Sequence, residues 1–582
     1  MRRSLAALSV VVTAGSASAQ DVHERNVPVP MRDGVVLRAD VLRPAGPGPF
    51  PVLVYRTPYG KDRAVERYSM FRRAVARGYA VVAQDVRGRY ASDGRFDPYR
   101  QEGRDGYDTI EWAASQPWSN GDVGSFGLSY PGAVQWLAAV ERPPHLRAMV
   151  PAMTYATPEN FFTSGGVYDL SWPAWIWLNI SSDVRTRGGL PGPATGALAA
   201  AVWDTLGPRL AARLPITDVP ELAAIAPWYL EWLAHPPGDP WWRWATLTGK
   251  YDRVDAAVLG LSGWHDEAYG PDGALRNFSG LQGARRNGST PRHRVLVGPW
   301  VHGIAGINDS TAGAKSGDRA FGGSGGLDYD ELILRWMDRW VRRLPNGADA
   351  DPAVRVYVMG EGRWLSADTW PLPGTRAESW FLSAGASGRG GLTPSAPKES
   401  ATTPFISDPA EPVTDPHVGR AGAHDYRALA ERQDVAVFES APLDQPLRVV
   451  GEITAEIHIS VDAPDADLWV HLQDVAPDGT AWNLMSPGLN VARASWRNGG
   501  PERRLLEPGT VYRLRFGNLL TGNSFAAGHR IRVVLSGAFM PHFSRNLQTG
   551  TLETESTATR RATITIHHGP EHPSRLELPI IP

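Results

Sequence analysis

The stretch GSFGLSYPGAVQWLA, Gly124 to Ala138, passes from a strand pattern to a helix pattern within a chain of 582 residues. An apolar run ends near Phe126, and helical periodicity begins at Pro131. Ser129 lies between the two patterns, in the sequence GLSYPG, with a glycine on either side. A tight strand-to-helix turn strains its central residue and needs small neighbours. Two interpretations follow: a simple tight connection, or a turn that presents the serine hydroxyl at the carboxyl end of a strand.

Strand-like and helix-like segments alternate on both sides of this turn. A hairpin pattern comes first, in VPVPMRDGVVLRADVLRP (27–44), with its turn at Asp33-Gly34. Apolar strands that alternate with helices predict a parallel sheet covered by helices on both faces, which is an α/β fold. The predicted strands are 50–55, 79–84, 123–126, 147–153, 256–261 and 294–298, and the predicted helices are 66–77, 104–115, 131–141 and 332–343.

Two regions break this alternation. Residues 157–250 are helical, proline-punctuated and rich in tryptophan, so we interpret them as an insertion, or cap, over one end of the sheet. Residues 347–582 contain short alternating runs, such as Ala353–Val358 and Ile453–Val461, which predict an antiparallel β-sandwich. The predicted organisation is an α/β domain over 20–156 and 251–346, a helical cap over 157–250 and a β-sandwich domain over 347–582.

The N-terminus has the form of a secretory signal peptide. Arg2 and Arg3 precede a short apolar run that ends in the A-x-A site at 17–19. We expect residues 1–19 to be removed and the protein to be exported, to the periplasm or the medium, without a membrane anchor; a retained anchor is the alternative. The net charge of −2 gives no basic footprint for a nucleic acid. The absence of cysteine excludes disulfides, zinc-thiolate sites and thiol catalysis.

A serine hydroxyl is a weak nucleophile unless a histidine removes its proton and a carboxylate orients that histidine. In an α/β sheet these partners are expected later in the chain, at the carboxyl ends of strands. Asp266 follows the strand pattern that ends in LGLSGWHD, and His302 follows the one that ends in VGPWVH. Ser129, Asp266 and His302 are therefore the candidate catalytic residues. The alternatives are that Asp266 caps a helix, that Glu267 or His265 acts instead, and that His302 is a structural loop histidine.

Five motifs, in this order along the chain, carry a resemblance to one family: RTPYGK (56–61), QDVRGRYASDG (84–94), GLSYPG (127–132), GWHD (263–266) and GPWVHG (298–303). The sequence resembles the cocaine-esterase-like and X-Pro dipeptidyl-peptidase family of serine hydrolases, which includes α-amino-acid ester hydrolases and glutaryl-cephalosporin acylases. DADLWVHLQDV (465–475) resembles that family's C-terminal jelly-roll domain. The resemblance implies an α/β-hydrolase fold with a helical cap and a C-terminal jelly-roll β-sandwich.

The resemblance also implies roles for single residues. Ser129 is expected to be the nucleophile, His302 the general base and Asp266 the residue that orients His302. The backbone N–H of Tyr130 and the hydroxyl of Tyr59 are expected to form the oxyanion hole, where one lost donor typically costs about 3 kcal/mol of transition-state stabilisation.

Other motif residues are interpreted as structural. Asp85 and Arg87 match family positions, and we expect them to form a buried pair that shapes their loop rather than to act in catalysis. Tyr59 has a second interpretation as a turn residue after Pro58. The turn at Ser129 is G-x-S-x-x-G, one residue longer than the usual G-x-S-x-G.

The expected substrate is a small-molecule ester or amide, and we favour a carboxylic ester with a bulky or aromatic acyl group, because the cap offers flat apolar walls. Glu267 alone matches poorly the carboxylate cluster with which amino-acid ester hydrolases of the family hold an ammonium. Neither a cofactor nor a metal is expected, and a homo-oligomer is compatible with the sequence. The alternatives are an amide-cleaving relative (an X-Pro dipeptidyl peptidase, a β-lactam acylase or an α-amino-acid ester hydrolase) and an exported carbohydrate-binding protein. The candidate substrate-binding residues are Trp172, Trp175, Trp177 and Glu267.

Overall fold

The computed structural model describes residues 21–284, 292–308, 315–322, 325–385, 388–485, 491–499 and 501–582. The predicted signal peptide, 1–19, lies outside the described residues. Within those ranges, no helix has the length and apolar character needed to cross a bilayer.

Between residues 22 and 367, the described part of the chain contains strands and helices that alternate on both sides of residues 157–250. Short 3-10 or π turns add Pro158–Asn160, Ile176–Ile180, Pro240–Trp244 and Tyr251–Arg253. In chain order, the strands and helices are β1 (Val22–Pro30), β2 (Val36–Arg43), β3 (Phe50–Thr57), α1 (Lys61–Arg67), α2 (Ser69–Ala76), β4 (Ala80–Asp85), α3 (Glu102–Ala114), β5 (Ser119–Leu128), α4 (Tyr130–Ala139), β6 (Leu146–Ala152), β7 (Thr163–Ser164), β8 (Val167–Tyr168), α5 (Ser171–Trp175), α6 (Ser181–Gly188), α7 (Gly196–Ala212), α8 (Pro220–Ala223), α9 (Pro227–Leu233), β9 (Ala257–His265), α10 (Asp272–Gly283), β10 (His293–Val301), α11 (Ile304–Asn308), β11 (Lys315–Ser316), β12 (Arg319–Ala320), α12 (Tyr329–Trp340), β13 (Val354–Val358) and β14 (Arg363–Ala367).

Ten of these strands, counted over the described residues, form one sheet in the order β1-β2-β4-β3-β5-β6-β9-β10-β13-β14. The seven strands from β4 to β13 in this order are parallel, and the hairpin β1–β2 and strand β14 are antiparallel to their neighbours. The predicted parallel sheet is confirmed.

Strand β13 differs from its prediction. The alternation of Ala353–Val358 predicts a strand of the C-terminal sandwich, whereas Val354 pairs in parallel with Val295 of β10. A short buried run has the same appearance in a parallel sheet and in a sandwich, so periodicity alone did not separate the two. Since β13 follows α12, it completes one more strand–helix–strand unit of the first sheet.

Helices cover both faces of this sheet, because successive residues of a strand point to opposite sides. Val52 and Val54 of β3 pack in the cluster that contains α3 and α4, whereas Leu53 packs in the cluster that contains α2 and α12. The parallel strands thus share one carboxyl edge, at which connecting loops meet.

Residues between β6 and β9 form the insertion that the sequence predicts as a cap, and these two strands are neighbours in the sheet, with Met149 opposite Val258. Aromatic side chains pack against one another inside this insertion: the rings of Trp228 and Trp232 lie 4.8 Å apart, and those of Trp172 and Trp232 lie 5.0 Å apart. Most of the tryptophans that stand out in the sequence therefore serve to pack this insertion.

The C-terminal part forms a second sheet of twelve strands over the described residues, with mainly antiparallel pairing and one parallel pair, which joins Arg389–Thr393 to Val435–Glu439. It packs on the first domain, where Gly522 lies against the indole of Trp264 and its carbonyl accepts the N–H of Met359 at 2.8 Å. Its strands are β15 (Arg376–Ser383), β16 (Arg389–Thr393), β17 (Ala401–Ser407), β18 (Val435–Glu439), β19 (Leu447–Val461), β20 (Asp467–Val475), β21 (Ala481–Asn483), β22 (Val491–Arg493), β23 (Tyr512–Phe525), β24 (Arg530–Ser536), β25 (Ala562–His568) and β26 (Arg575–Ile580), with 3-10 turns at Arg427–Glu431 and Ala494–Trp496.

Candidate active site

Ser129 occupies the turn between β5 and α4 in a backbone conformation that L-residues rarely adopt, with φ 69° and ψ −127°. Its N–H donates to the carbonyl of Ala152 on the neighbouring strand at 2.9 Å, which holds the strained residue in place. A Cβ atom on Gly132 would lie 2.7 Å from the same carbonyl, so this turn requires glycine there. Of the two interpretations of GLSYPG, the geometry matches the turn that presents a hydroxyl.

Asp266 and His302 follow the neighbouring parallel strands β9 and β10, and the structure brings them together. Nδ1 of His302 lies 2.9 Å from Oδ1 of Asp266. The same carboxylate oxygen accepts the backbone N–H groups of Ala268 at 3.1 Å and Tyr269 at 3.2 Å. Asp266 is fully buried, whereas the side chain of His302 is 20% exposed. The carboxylate is therefore held rigidly, and the imidazole remains accessible to a substrate.

The charge of Asp266 sets the protonation of His302. Burial lowers the pKa of the imidazole, but the charge and hydrogen bond of Asp266, together with the charge of Glu267, outweigh burial and raise the pKa above its ordinary value. Glu267 also accepts the backbone N–H of His302 at 3.0 Å. Because Nδ1 is bonded to a carboxylate, Nε2 is the nitrogen that accepts or releases a proton.

Tyr269 lies near both the serine and the histidine, and sequence reasoning missed it. Its hydroxyl is within hydrogen-bonding range of Ser129 and lies 3.1 Å from the hydroxyl of Tyr99, while its ring lies 5.8 Å from that of His302. Hydrogen bonding with Ser129 opposes the rise in the pKa of both Tyr59 and Tyr269, and among the described residues no hydrogen bond joins Oγ of Ser129 to His302. Catalytic hydrogen bonds of this kind often tighten only in the substrate complex.

Tyr59 follows β3, and its hydroxyl is in reach of both Ser129 and the cap. The indole N–H of Trp175 donates to this hydroxyl at 3.0 Å. Burial raises the pKa of Tyr59 to about 12, although the hydrogen bonds with Trp175 and Ser129 oppose the shift. The phenol therefore stays protonated at neutral pH and keeps a proton to donate.

Tyr130 is the first residue of α4, so its N–H has no acceptor within the helix. Its side chain is fully buried and fixed, since the hydroxyl donates to Glu102 at 2.8 Å and accepts the N–H of Tyr99 at 3.1 Å. Glu102 forms a buried ion pair with Arg56 at 2.9 Å. Arg56 opens the motif RTPYGK, which was the only signal in the sequence for this support.

The three candidate tryptophans have different environments. Trp175 donates to Tyr59 and stacks on Tyr130 with 6.1 Å between ring centroids. Trp172 is 5% exposed and donates to the carbonyl of Phe161. Trp177, also 5% exposed, donates to Ala199 within the cap. Only Trp175 of the three directly contacts a predicted oxyanion-hole residue.

Glu267 has two other carboxylates nearby. Glu159, Asp169 and Glu267 line one crevice beside Tyr269, which we call the acidic crevice. Burial raises the pKa of Glu267, while the neighbouring His302 opposes that shift, and burial raises the pKa of Asp169 to about 6. The sequence analysis named only Glu267, because the other two carboxylates come from the cap.

His265, the alternative to Asp266, is 1% exposed and neutral, since burial lowers its pKa to about 3. Its ring stacks on Phe321 at 6.1 Å. Of the three candidate partners, Asp266, His265 and Glu267, it is Asp266 whose side chain contacts the imidazole ring of His302.

Asp85 and Arg87 do not pair with each other, so this prediction is wrong. Asp85 accepts the N–H of Lys61 at 2.7 Å. Arg87 instead binds Asp105 at 2.6 Å and Asp33 at 2.9 Å. Asp85 ends a strand whose next residues turn away, so the two side chains point to different elements.

Among the described residues, no cluster of three or more acidic or histidine side chains could hold a metal ion.

The sequence profile of the X-Pro dipeptidyl-peptidase (S15 family) matches residues 33–304, and that of the X-Pro dipeptidyl-peptidase C-terminal non-catalytic domain matches residues 346–577. Cocaine esterase from Rhodococcus sp. (strain MB1 Bresler) is 33% identical, over 96% of this chain and 98% of that protein. The chain belongs to the cocaine-esterase-like, X-Pro dipeptidyl-peptidase (S15) family of serine hydrolases. The resemblance seen in the five motifs is confirmed.

Solved structures share the fold of this family member along its whole length. An α-amino acid ester hydrolase covers 98% of this chain and is itself covered to 98%, with a TM-score of 0.81 and 23% identity. A second structure is an aminopeptidase from a marine sediment archaeon, Thaumarchaeota archaeon. The match covers 100% of this chain and 99% of the aminopeptidase, with a TM-score of 0.79 and 23% identity. Both the catalytic part and the strand-rich C-terminal part are thus a shared architecture, consistent with an α/β-hydrolase fold.

Proposed function

We propose that this hydrolase cleaves carboxylic esters through an acyl-enzyme intermediate, with Ser129 as nucleophile, His302 as general base and Asp266 as the residue that orients His302. The observation that carries the proposal is the contact of His302 with buried Asp266, together with a serine held in a strained strand-to-helix turn at the carboxyl edge of the same sheet. The relationship to cocaine esterase supports an ester as substrate.

The reaction follows from these positions. Nε2 of His302 takes the proton of Ser129 as Oγ attacks the ester carbonyl, and Asp266 stabilises the imidazolium that forms. The imidazolium then gives its proton to the alkoxide that leaves, and an acyl group remains on Ser129. Water, deprotonated by His302, attacks the acyl-enzyme; the acid is released, and Ser129 recovers its proton.

The negative charge on the tetrahedral oxygen is stabilised by two donors. One is the N–H of Tyr130 at the start of α4, where the helix has no acceptor for it. The other is the hydroxyl of Tyr59, which Trp175 orients from the cap. Trp175 also supports a bulky or aromatic acyl group, because its ring reaches the site from the cap; Trp172 and Trp177 are assigned to cap packing.

The test compares p-nitrophenyl esters of acetate, butyrate and phenylacetate with an X-Pro p-nitroanilide. We expect kcat/KM for the best ester to exceed that for the anilide by at least about a hundredfold, equivalent to about 3 kcal/mol. A fluorophosphonate probe should label the wild type and Ser115→Ala, but not Ser129→Ala. Faster cleavage of the anilide would instead support the amide-cleaving alternative, and the absence of labelling and turnover would support a binding protein.

A second candidate is the hydrolysis of α-amino-acid esters, favoured by the three carboxylates of the acidic crevice. A substrate ammonium there would be attracted to these carboxylates. The space within the crevice is small, about 10 Å³, so side chains would have to move to admit it. Phenylglycine methyl ester and phenylacetate methyl ester differ only in the amino group. A higher kcat/KM for phenylglycine methyl ester in the wild type, lost in Glu267→Gln, would favour this candidate.

Two structural expectations complete the proposal. We propose that residues 157–250 act as a cap over the site and that the mainly antiparallel C-terminal sheet is a jelly roll, in line with its pairing order. We also propose export after removal of residues 1–19, on the basis of the N-terminal sequence. N-terminal sequencing of protein secreted by a bacterial host, expected to begin at Gln20, tests the second expectation.

A further inference from the structure

A cavity of about 250 Å³ opens beside Tyr59, between the first domain and the cap. Tyr59 forms part of its wall, helix α1 contributes Arg63 and Arg67, and Asn179 contributes from the π turn of the cap. This is far more room than the roughly single-water space of the acidic crevice. The cavity is smaller than a typical pocket for a whole drug-sized ligand, so it fits one part of a substrate.

Arg63 and Arg67 give this cavity its charge. They are four residues apart on α1, so both side chains project from the same side of the helix. Glu66 lies between them in sequence. Within the described part of the chain, neither guanidinium forms an ion pair or a hydrogen bond with Glu66 or with any other acidic side chain. No carboxylate is among the residues that line the cavity.

The carboxylates of the surrounding elements have other partners. Asp62 binds the ammonium of Lys61 at 3.1 Å. Asp183 of the cap lies 3.5 Å from Arg89 and accepts the N–H of Tyr90 at 3.1 Å. The positive charge of Arg63 and Arg67 is therefore not neutralised by these neighbouring elements.

The remaining lining groups suit an oxyanion. Tyr68, Tyr90 and Asn179, whose side chains carry hydroxyl and amide groups, line the cavity together with the two arginines. A guanidinium presents a planar fork of N–H donors that matches a carboxylate in two parallel hydrogen bonds. The chemistry of the cavity is thus that of a carboxylate site rather than of an apolar acyl pocket.

The cavity adjoins the reacting atoms through Tyr59. The hydroxyl of Tyr59 is in hydrogen-bonding range of Ser129, and the residue also lines the cavity. A substrate whose carbonyl oxygen meets this hydroxyl can place a neighbouring group beside Arg63 and Arg67. We propose that the enzyme selects esters that carry a carboxylate, and that Arg63 and Arg67 bind this carboxylate; the proposal rests on the proposed function of Ser129.

Matched pairs of esters test the proposal and identify which side of the ester bears the charge. In the leaving-group arm, 4-acetoxybenzoate is compared with its methyl ester. In the acyl arm, p-nitrophenyl hemiglutarate is compared with p-nitrophenyl valerate. Each pair is assayed with the wild type, with the Arg63→Gln/Arg67→Gln double variant, and with Arg72→Gln, a control that removes an exposed arginine of α2 outside the cavity.

We expect the wild type to prefer the anionic ester in at least one arm by about tenfold in kcat/KM, mainly through KM, as a charged hydrogen bond to arginine would give. The double variant should lose this preference while its rates on the neutral esters change less than about twofold. The Arg72→Gln control should keep the preference.

No preference in either arm, or a preference that survives in the double variant, would overturn the proposal. These outcomes are distinct from failure of the proposed function, which would appear as no turnover of the neutral esters and no fluorophosphonate labelling of the wild type.

Discussion

Two buried clusters of charge, one in each domain, have opposite designs. At the edge of the first sheet, Asp266 is paired with His302, whose side chain remains 20% exposed. In the C-terminal domain, Arg493 is 1% exposed and bonded to Asp467 at 2.7 and 2.9 Å and to Glu553 at 2.8 Å. In the first cluster, Nε2 of His302 remains available to a substrate. In the second cluster, the charged groups bind one another.

The difference shows how burial relates to role. Ser544 and Asn546 add hydrogen bonds to Glu553 and Asp467, so the cluster around Arg493 is satisfied within the protein. Removing either partner of such a buried ion pair costs stability. Because its groups bind one another, none of them is available to a substrate. The Asp266–His302 pair is completed only when a proton arrives from outside it.

The largest expected effect is that of Ser129→Ala on turnover. We expect kcat to fall by about 10⁴-fold or more, equivalent to at least about 5 kcal/mol, because the nucleophile is lost. The melting temperature, measured by calorimetry, should stay within about 2 °C of wild type or rise, since a strained serine makes little contribution to packing. Retained ester hydrolysis would contradict the assignment of the nucleophile.

Replacement of Arg493 by Met should act on stability instead. It leaves the carboxylates of Asp467 and Glu553 buried without their partner, which is expected to cost about 3–5 kcal/mol of unfolding free energy. Urea titration measures this loss, and kcat/KM of the folded fraction should remain close to wild type. Arg513→Met removes an exposed arginine 3.6 Å from Glu456 and should cost less than about 1 kcal/mol. Similar losses for the two variants would contradict the comparison.

Tyr59→Phe removes one oxyanion donor and retains the ring. We expect kcat to fall by about 10²–10³-fold, or about 2.7–4 kcal/mol, since the hydroxyl stabilises charge only in the transition state. KM should change little, as measured with p-nitrophenyl butyrate. Tyr107→Phe, on α3, is the control and should retain wild-type kcat. An equal loss in both variants would show that Tyr59 acts through folding rather than chemistry.

The smallest expected effect is a shift in pH dependence. Protonated His302 is inactive, and Asp266 and Glu267 raise its pKa, so kcat/KM of the wild type should rise with pH through a midpoint above the ordinary histidine value of about 6.5. Glu267→Gln removes one of these negative charges, which should move the midpoint to lower pH. Glu159→Gln, in the same crevice, should leave it unchanged. An unmoved midpoint in Glu267→Gln would show that Glu267 has no influence on the imidazole.

Much of the fold was predictable because each signal was local. The alternation of apolar strands and helices predicted the parallel sheet, and glycines around Ser129 predicted its turn. Strand β13 was misassigned because a five-residue buried run does not reveal the strand with which it pairs. Asp85 and Arg87 were paired wrongly for a similar reason, since nearness in sequence does not show in which direction a side chain points.

In the candidate site too, some features are predictable from the sequence and others depend on the tertiary structure. Backbone patterns carried in the sequence put Ser129, Asp266 and His302 after strands whose carboxyl ends meet, because parallel strands in one sheet share that edge. Folding of distant segments alone brought Tyr269 against Ser129, joined Trp175 to Tyr59, and left Arg63 and Arg67 facing a cavity without carboxylates. Those contacts depend on side-chain packing between elements far apart in the chain, and no local periodicity records them.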